Sequence, residues 1–269
     1  MNVQTILITG ATDGVGKLAA IDLATRYKNA NILIHGRNIN KIDKVVDEIK
    51  SKSNNQNIEG YVADFSSLDD VRNLAKKILS KHDAINILIN NAGAGFAAPR
   101  YGKDGTETRF TVNYLAPFLL TNLLSPAIKK ALPSRIVNVS SAGQSPIHFD
   151  DVMLEKNFDG VTAYSQSKLA LLMFTIDLAE QLKDENITVN ALHPGTYLDT
   201  NMVHDAGIKP LGTAQSGADA EVYLATSDEL KNVTGKYFNV KKESKAHAQA
   251  YDVNARKKLH ELSLKLTGL

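Results

Sequence analysis

A glycine-rich turn between a buried strand and a helix constrains the fold more than any other feature of this chain. Residues 3–8 are an apolar run of strand type, and residues 17–27 have helical spacing. The turn between them contains Gly10, Gly14 and Gly16. Glycine lets a backbone turn tightly and approach a ligand, and the free N–H groups of a helix N-terminus bind phosphate. The segment predicts a dinucleotide site, although its Gly-x3-Gly-x-Gly spacing departs from the general Gly-x-Gly-x2-Gly fingerprint. The alternative is a flexible loop.

Strand and helix patterns alternate along the rest of the chain. Predicted strands cover residues 31–35, 60–63, 85–89, 136–139, 187–192 and 236–240, and predicted helices cover residues 39–49, 68–81, 106–130 and 163–182. Such alternation predicts one α/β domain over residues 1–269, a doubly wound Rossmann domain whose seven-stranded, mostly parallel sheet has helices on both faces. An amphipathic pattern at about residues 252–267 predicts a C-terminal helix packed on this domain.

Net charge and residue usage exclude several classes of protein. The 31 basic and 29 acidic residues are interspersed and leave a net charge of +2, which gives no reason to expect a nucleic-acid partner. The absence of cysteine excludes disulfides, thiolate nucleophiles and zinc–thiolate sites, and none of the seven histidines shows metal-ligand spacing, so no metal site is predicted. With no signal peptide and no apolar stretch long enough to span a bilayer, a cytoplasmic protein without a membrane partner is the expectation.

Tyr164 and Lys168 are the strongest chemical signal. They lie four residues apart in a predicted helix, so they project from one face one turn from each other. An ammonium close to a phenol favours the phenolate, so Lys168 is expected to lower the pKa of Tyr164, which is about 10 when unperturbed. A phenol tuned towards neutrality can exchange a proton with a substrate oxygen. The pair alone is weak evidence, because tyrosine and lysine meet by chance on many surface helices.

Asn113 carries an independent signal from the proline that follows it by four residues. Pro117 has no N–H, so the Asn113 carbonyl is expected to lack its helical partner. The alternative is a plain proline kink that fits the helix to the sheet, and the two interpretations are compatible.

The combination of these motifs strongly resembles the short-chain dehydrogenase/reductase family over nearly the whole chain. The resemblance rests on the glycine-rich turn, residues 90–93 (Asn-Asn-Ala-Gly), Asn113, Ser141, Tyr164 and Lys168. Residues 135–168 and 233–238 look most like the branch of retinol dehydrogenases and WW-domain oxidoreductases. The resemblance implies an oxidoreductase that interconverts an alcohol with a ketone or aldehyde by hydride transfer. Its partner would be a small carbonyl or alcohol substrate.

The resemblance implies roles for four catalytic residues, Asn113, Ser141, Tyr164 and Lys168. Tyr164 would be the acid/base, Lys168 would also hold the nicotinamide ribose, and Ser141 would stabilise negative charge on the substrate oxygen. Ser140 competes with Ser141, because successive strand residues point in opposite directions; the family register favours Ser141. The Asn113 carbonyl would hold a water that links Lys168 to solvent.

The cofactor is expected to be NADP(H) rather than NAD(H). The second predicted strand ends without the carboxylate that would bind the ribose of NAD, and Arg37 follows it. A guanidinium suits bidentate contact with a 2′-phosphate, although Arg37 could simply face solvent at a strand end. The residues and the resemblance together imply these cofactor-binding positions: Gly10, Thr12, Asp13, Gly14, Val15, Gly16, Arg37, Asn38, Asp64, Phe65, Asn91, Ala92, Gly93, Tyr164, Lys168, Pro194, Gly195 and Tyr197.

Some of these positions have other interpretations. Asp13 is expected to cap the first helix, since a carboxylate beside a pyrophosphate is otherwise repulsive. Asp64 has a helix cap for the segment near Leu68 as its alternative. The loop after Gly195 is one residue longer than in the family, which leaves open whether Tyr197, Leu198 or Thr200 contacts the nicotinamide.

Substrate and oligomeric state are less constrained. The predicted substrate lid, about residues 196–217, mixes apolar and polar side chains and suggests a moderately apolar carbonyl compound. An insert before Tyr164 with Ile147, Phe149, Met153 and Phe158 is either a wall of the substrate cleft or a packed loop. The resemblance implies a homodimer or homotetramer formed through the helices at about 106–130 and 163–182, whereas the C-terminal helix could cover that surface.

Two other functional classes stay open. One is a non-catalytic NADP(H)-binding sensor of the same fold, against which the intact Ser141, Tyr164 and Lys168 count. The other is a nucleotide-sugar epimerase or an adenosylmethionine-dependent transferase on a similar sheet. Epimerases use a different glycine spacing and a longer substrate domain, and a transferase would not need the tyrosine–lysine pair.

Overall fold

An eight-stranded sheet between two layers of helices forms the body of the protein, in a computed structural model that describes residues 4–269. The strands are β1 (Thr5–Ile8), β2 (Asn31–Gly36), β3 (Ile58–Val62), β4 (Ile87–Asn90), β5 (Ser134–Val139), β6 (Ile187–His193), β7 (Tyr237–Asn239) and β8 (Lys242–Ser244), in the order β3-β2-β1-β4-β5-β6-β7-β8. All neighbouring pairs are parallel except β7 and β8. The doubly wound α/β fold is therefore confirmed. Val3, part of the predicted first strand, lies outside the described residues.

The predicted number of seven strands is wrong by one edge strand. Asn239 pairs with Lys242, so the chain reverses over two residues, and Val240 takes a φ of +57° in that turn. The reversal lets Lys242–Ser244 pair antiparallel with β7. All three residues of β8 are exposed. Backbone hydrogen bonds therefore form this strand without an apolar sequence pattern that could have predicted it.

Helices cover both faces of the sheet and bury two apolar cores. They are α1 (Gly14–Arg26), α2 (Ile39–Ser53), α3 (Leu68–Leu79), α4 (Thr108–Phe110), α5 (Ala116–Lys130), α6 (Gly160–Gln181), α7 (Asn201–Asp205), α8 (Ala214–Thr226) and α9 (Val253–Thr267). Helices α1, α2 and α8 share one core with Ile6 and Ile8, whereas α3, α5, α6 and α9 share the other with Leu7. The alternation along β1 follows from the two-residue period of a strand, and burial on both faces explains why the strands are apolar runs.

The helix predicted over residues 106–130 is interrupted. A turn of π-helix, Thr111–Leu115, separates α4 from α5, and the Ala116 N–H donates to the Thr111 carbonyl five residues earlier. Pro117 then lies in the first turn of α5, where a missing N–H costs little. The proline is thus accommodated by a local change of helix type, which is frequent at functional sites.

The sheet has its topological switch point between β1 and β4. The connection after β1 leads to α1 on one face, and the connection after β4 leads to α5 on the other. Loops that diverge in this way leave a crevice at the carboxyl ends of the strands, where doubly wound folds bind ligands. The glycine-rich turn and residues 91–95 form the two sides of this crevice.

The C-terminal helix packs on the body, as predicted. Arg256 Nε of α9 donates to Asp177 Oδ1 of α6 at 2.5 Å, and Tyr114 Oη and Ser263 Oγ are 2.5 Å apart. This helix therefore covers part of the surface formed by α6 and the π-helical turn. Within residues 4–269, no helix combines the length and the apolar composition needed to cross a bilayer.

Candidate active site

The glycine-rich turn is closed by the side chain of Asn91. Asn91 Nδ2 donates to the carbonyls of Thr9 and Gly10 at 2.8 and 3.0 Å. A Cβ on Gly16 would lie 2.3 Å from this Nδ2, so only glycine fits there. Asp13 caps α1 by accepting from the Gly14 N–H at 2.7 Å, which confirms the expected cap. The turn is thus a rigid backbone cradle at a helix N-terminus, a shape that fits a pyrophosphate.

Arg37 lies exposed at the end of β2, beside the glycine-rich turn. The Thr12 side chain packs on the backbone of Gly36, where a Cβ would come within 2.4 Å of its methyl group. Asn38 caps α2 by accepting from the Lys41 N–H at 3.1 Å. Thr12, Arg37 and the N-terminus of α2 therefore lie close together along the chain fold, an arrangement that suits a phosphate.

His35 connects three loops of the crevice, a role that the sequence analysis did not predict. Its Nδ1 accepts from the Gly10 N–H at 3.2 Å, its Nε2 donates to the Ala63 carbonyl at 3.0 Å, and its ring stacks on Phe65 with 4.1 Å between centroids. Burial lowers the pKa of His35 to about 4, so the imidazole is neutral at pH 7. A histidine inside an otherwise apolar strand was the available signal.

Asp64 does not cap α3, which corrects the alternative considered for it. Ser67 is the cap, and it accepts from the Asp70 N–H. Asp64 instead accepts from the Ser66 N–H and hydroxyl at 3.0 and 2.8 Å. Burial raises the Asp64 pKa, but these bonds and the charges of Lys103 and Arg37 outweigh burial and leave the pKa below its usual value. Asp64 is therefore an anion at neutral pH.

Tyr164, Ser141 and Lys168 meet at the carboxyl ends of β4 and β5. Tyr164 and Lys168 lie one turn apart on α6, with Lys168 Nζ 5.7 Å from the Tyr164 ring centroid. A Cβ on Gly143 would lie 3.6 Å from Ser141 Oγ and 3.8 Å from Tyr164 Cε1, so both side chains border the same space. Ser140 Oγ instead donates to the Lys168 carbonyl at 2.8 Å, which commits it to the backbone of α6.

The expected lowering of the Tyr164 pKa is wrong for this structure. Burial raises the pKa of Tyr164, and a hydrogen bond with Ser141 opposes that rise. Lys168 Nζ is bound elsewhere, because it donates to the Val139 carbonyl at 2.9 Å. Burial also lowers the pKa of Lys168 to about 8. Desolvation of the phenol therefore outweighs the hydrogen bond with Ser141, and Tyr164 holds its proton at pH 7.

The Asn113 side chain fixes the loop that follows β4. Its Oδ1 accepts from the Ala94 N–H at 2.7 Å, and its Nδ2 donates to the Ala94 carbonyl at 3.1 Å and to Ser167 Oγ at 2.9 Å. A Cβ on Gly93 would lie 3.4 Å from Asn113 Oδ1 and 3.6 Å from Lys168 Nζ. Asn113, Gly93 and Lys168 are thus brought together, as the sequence predicts.

The loop after β6 separates the three candidates for a nicotinamide contact. Leu198 is buried, and a Cβ on Gly217 would lie 2.5 Å from its Cδ1, so its side chain points away from the crevice. Tyr197 is 40% exposed with a φ of +46°. The Thr200 methyl group lies 3.0 Å from the Cβ position of Gly14. Thr200 therefore lies over the glycine-rich turn, whereas Leu198 anchors the lid.

The insert before Tyr164 was interpreted either as a wall of the substrate cleft or as a packed loop, and the structure distinguishes the two. The insert packs into the body: Ile147 belongs to the core, Phe149 and Met153 pack against it, and Phe158 lies under the guanidinium of Arg109, 5.4 Å from ring centroid to Cζ. The packed-loop interpretation is therefore the one that the structure supports. The side chain next to Tyr164 is Phe96, whose ring lies edge-to-face with 4.7 Å between centroids.

Arg109 holds the Phe96 loop and was also missed in the sequence. Its guanidinium is buried, pairs with Glu107 Oε1 at 2.8 Å, and donates to the carbonyls of Phe96 at 2.6 Å, of Pro99 at 3.3 Å and of Ala98. A charged residue in a helix is ordinarily a surface residue, so nothing in the sequence marks it. In residues 4–269 no three histidine, aspartate or glutamate side chains cluster as a metal site would require.

The fold and the site define a class: dinucleotide-dependent enzymes with a Ser–Tyr–Lys–Asn constellation at the switch point of a doubly wound sheet. The short chain dehydrogenase family model matches residues 4–210, and the chain belongs to this family. It is an oxidoreductase that acts on CH–OH groups with NAD(P), and it lies in the branch similar to retinol dehydrogenases.

Individual relatives agree with this assignment. Retinol dehydrogenase 13 of Mus musculus is 35% identical over 283 residues, which cover 99% of this chain and 84% of the relative. A solved structure of an uncharacterised protein from Mycobacterium paratuberculosis is 29% identical, with a TM-score of 0.80 over 98% of this chain and 93% of that one. A short chain dehydrogenase from Escherichia coli CFT073, solved with NADPH, is 27% identical, with a TM-score of 0.69 over 88% of this chain and 96% of that one.

Proposed function

We propose that the protein interconverts a ketone or aldehyde and the corresponding alcohol, with NADP(H) as its cofactor and Tyr164 as its acid/base. The observation that carries the proposal is the convergence of Ser141, Tyr164 and Lys168 beside the glycine-rich turn. When bound, the nicotinamide supplies or accepts the hydride. The other tasks of the reaction fall to groups of this chain.

Tyr164 holds the proton that reduction of a carbonyl group requires. Because burial raises the pKa of Tyr164, the phenol is protonated at pH 7 and can donate to a carbonyl oxygen that gains a hydride at its carbon. Ser141 borders the same space and donates a hydrogen bond to that oxygen as negative charge develops on it. Ser141 therefore orients the substrate oxygen towards the tyrosine hydroxyl.

Lys168 and Asn113 would assist the proton transfer of Tyr164. The Lys168 ammonium, which donates to the Val139 carbonyl, is a positive charge near the phenol and would hold the nicotinamide ribose. Pro117, four residues after Asn113, has no N–H to donate to the Asn113 carbonyl, and this carbonyl would hold a water that returns a proton to Lys168. Lys168 and Asn113 would therefore together restore the proton that Tyr164 gives up.

Arg37 supports NADP(H) over NAD(H). The end of β2 carries no carboxylate for ribose hydroxyls, and Arg37 lies between Gly36, on which Thr12 packs, and Asn38, which caps α2. The solved relative with bound NADPH is consistent with that choice. The remaining cofactor contacts are proposed at Gly10, Asp13, Gly14, Val15, Gly16, Asn38, Asp64, Phe65, Asn91, Ala92, Gly93, Pro194, Gly195 and Tyr197.

The substrate is proposed to be a moderately apolar carbonyl compound that contacts Phe96. The Phe96 ring packs against Tyr164, and Arg109 holds its backbone, so a substrate oxygen at Tyr164 has an aromatic surface beside it. The lid, residues 196–217, closes the other side through Met202, which lies over Gly93 and Gly95. One domain over residues 1–269 is proposed to contain the complete site.

The direct test compares NADPH and NADH oxidation with a panel of aldehydes, ketones and quinones. We expect kcat/KM to favour NADPH, and Arg37→Ala to lower the NADPH value about 10- to 100-fold, as expected for a lost charge-assisted contact, without lowering the NADH value. Arg26→Ala, at the far end of α1, is the control. A preference for NADH would overturn the cofactor assignment. NADPH binding without turnover of any compound would favour the sensor instead.

A further inference from the structure

Glu221 is a buried acid that the proposed reaction does not use. It lies on α8 with a relative exposure of 0%, in the apolar core between α1, α8 and the sheet. Neither carboxylate oxygen has a hydrogen-bond partner among residues 4–269. Burying a carboxyl in this way is costly, because nothing replaces its hydration. Asp219, two residues earlier on the same helix, is by contrast exposed and bound by Gln215.

The packing of α8 places Glu221 beneath the active site. Gly217, one turn before it, packs against Leu198 and Val15 beside the glycine-rich turn. Leu224, one turn after it, accepts at its carbonyl from Arg135 Nη1 near the start of β5. Glu221 therefore lies against β5, between the level of Gly217 and the level of Leu224. At the end of that strand, on the other face of the sheet, the Val139 carbonyl accepts from Lys168 Nζ.

Lys168 is the charge that acts on Glu221. Burial raises the pKa of Glu221 to about 8, and Lys168 opposes that rise. Burial lowers the pKa of Lys168 to about 8, and Glu221 opposes that fall. The other charged groups around α8 are directed elsewhere: Arg135 donates to the Leu224 carbonyl, and Asp22 accepts from Gln215 at the surface. His193, at the end of β6, also responds to the charge of Lys168.

We propose that Glu221 is a positioning residue for Lys168: once ionised, its carboxylate supplies a counter-charge from the opposite face of the sheet and so extends the alkaline side of the pH range in which the site keeps its ammonium. The proposal rests on the proposed function insofar as Lys168 serves the reaction. An ionised carboxyl at this place stabilises the ammonium, and a neutral side chain of the same shape does not. The two groups then exchange their protons as a coupled pair.

The first experiment compares the pH dependence of NADPH-dependent kcat/KM in the wild type, in Glu221→Gln and in the control Asp219→Asn. We expect Glu221→Gln to move the alkaline limb towards lower pH by at least about half a unit, because the ammonium loses its counter-charge. Asp219→Asn leaves the limb in place. Glu221→Asp keeps the charge and brings the limb back towards the wild-type position. Coincident wild-type and Glu221→Gln profiles would overturn the proposal.

The second experiment does not depend on turnover. In protein labelled with ¹³C at lysine Cε, the Lys168 resonance is assigned by its absence in Lys168→Met, and its titration is followed by NMR. We expect the Lys168 midpoint to fall in Glu221→Gln and to stay unchanged in Asp219→Asn. If Glu221→Gln folds poorly, Glu221→Met removes the same charge with an apolar side chain of similar volume. An unchanged midpoint refutes the inference even if the wild type shows no NADPH turnover, and that lack of turnover would refute the proposed function alone.

Discussion

Acidification should weaken the fold through His35. The neutral imidazole accepts from the Gly10 N–H and donates to the Ala63 carbonyl, and its ring is buried against Phe65. A second ring proton would leave the Gly10 N–H facing a donor and would put an unpaired charge in the core. The structure therefore resists protonation at this position.

The size and direction of the effect follow from the pKa of His35. Burial lowers this pKa from 6.5 to about 4, so between these values the unfolded chain binds a proton that the folded protein does not. Stability then rises with pH in this window. The contribution is complete above pH 6.5 and is lost as the pH falls towards 4, by about 3 kcal/mol in total.

Urea unfolding between pH 4.5 and 7 measures this contribution. His35→Asn keeps an acceptor for the Gly10 N–H and removes the titrating ring. We expect the difference in unfolding free energy between wild type and His35→Asn to shrink as the pH falls, by about 2–3 kcal/mol over the window. His148→Asn, on an exposed loop, is the control for the loss of a histidine side chain. A wild-type minus His35→Asn difference that stays constant with pH would refute the reasoning.

Three further changes test other contacts. Gly16→Ala puts a Cβ 2.3 Å from Asn91 Nδ2, so we expect about 1–3 kcal/mol of destabilisation and weaker NADPH binding by fluorescence titration. Unchanged stability and NADPH affinity would contradict the rigid backbone cradle described for the glycine-rich turn. Arg109→Met leaves the fully buried Glu107 without its cation, and we expect it to lower the unfolding free energy measured in urea by about 3–5 kcal/mol. The surface control Lys130→Met should lower it by only about 0–1 kcal/mol. Glu221→Gln should stabilise the protein progressively from pH 4.5 to 8, by up to about 5 kcal/mol, because only the folded wild type keeps this proton there; a gain independent of pH would count against a buried titrating acid.

Local sequence patterns were sufficient to predict most of the sheet. Strands buried on both faces must be apolar runs, and glycine is required where the turn after β1 meets Asn91. Asp13 as a helix cap and the disturbance at Pro117 follow from chemistry within four or five residues, so the sequence alone could predict them. The four-residue spacing of Tyr164 and Lys168 likewise implied that the two would share a helix face.

Tertiary burial set the features that the sequence could not predict. Glu221 has the sequence context of a surface residue, and its burial depends on how α8 packs on α1 and β5. The direction of the Tyr164 pKa depends on desolvation, whereas spacing showed only the nearby lysine. Strand β8 has no apolar residue that faces a core, and it forms because the chain reverses at Val240.

The most direct test of the account is the rate of NADPH oxidation in Tyr164→Phe with the best carbonyl substrate from the panel. The ring and its contact with Phe96 are retained in this variant, and only the hydroxyl is lost. We expect a fall in kcat of about 10²- to 10⁴-fold with NADPH affinity nearly unchanged. The control Tyr223→Phe, a half-buried tyrosine whose hydroxyl donates to Glu229 at the surface, should show no fall. A Tyr164→Phe enzyme that keeps kcat within a few-fold of the wild type would contradict the assignment of Tyr164 as the proton donor.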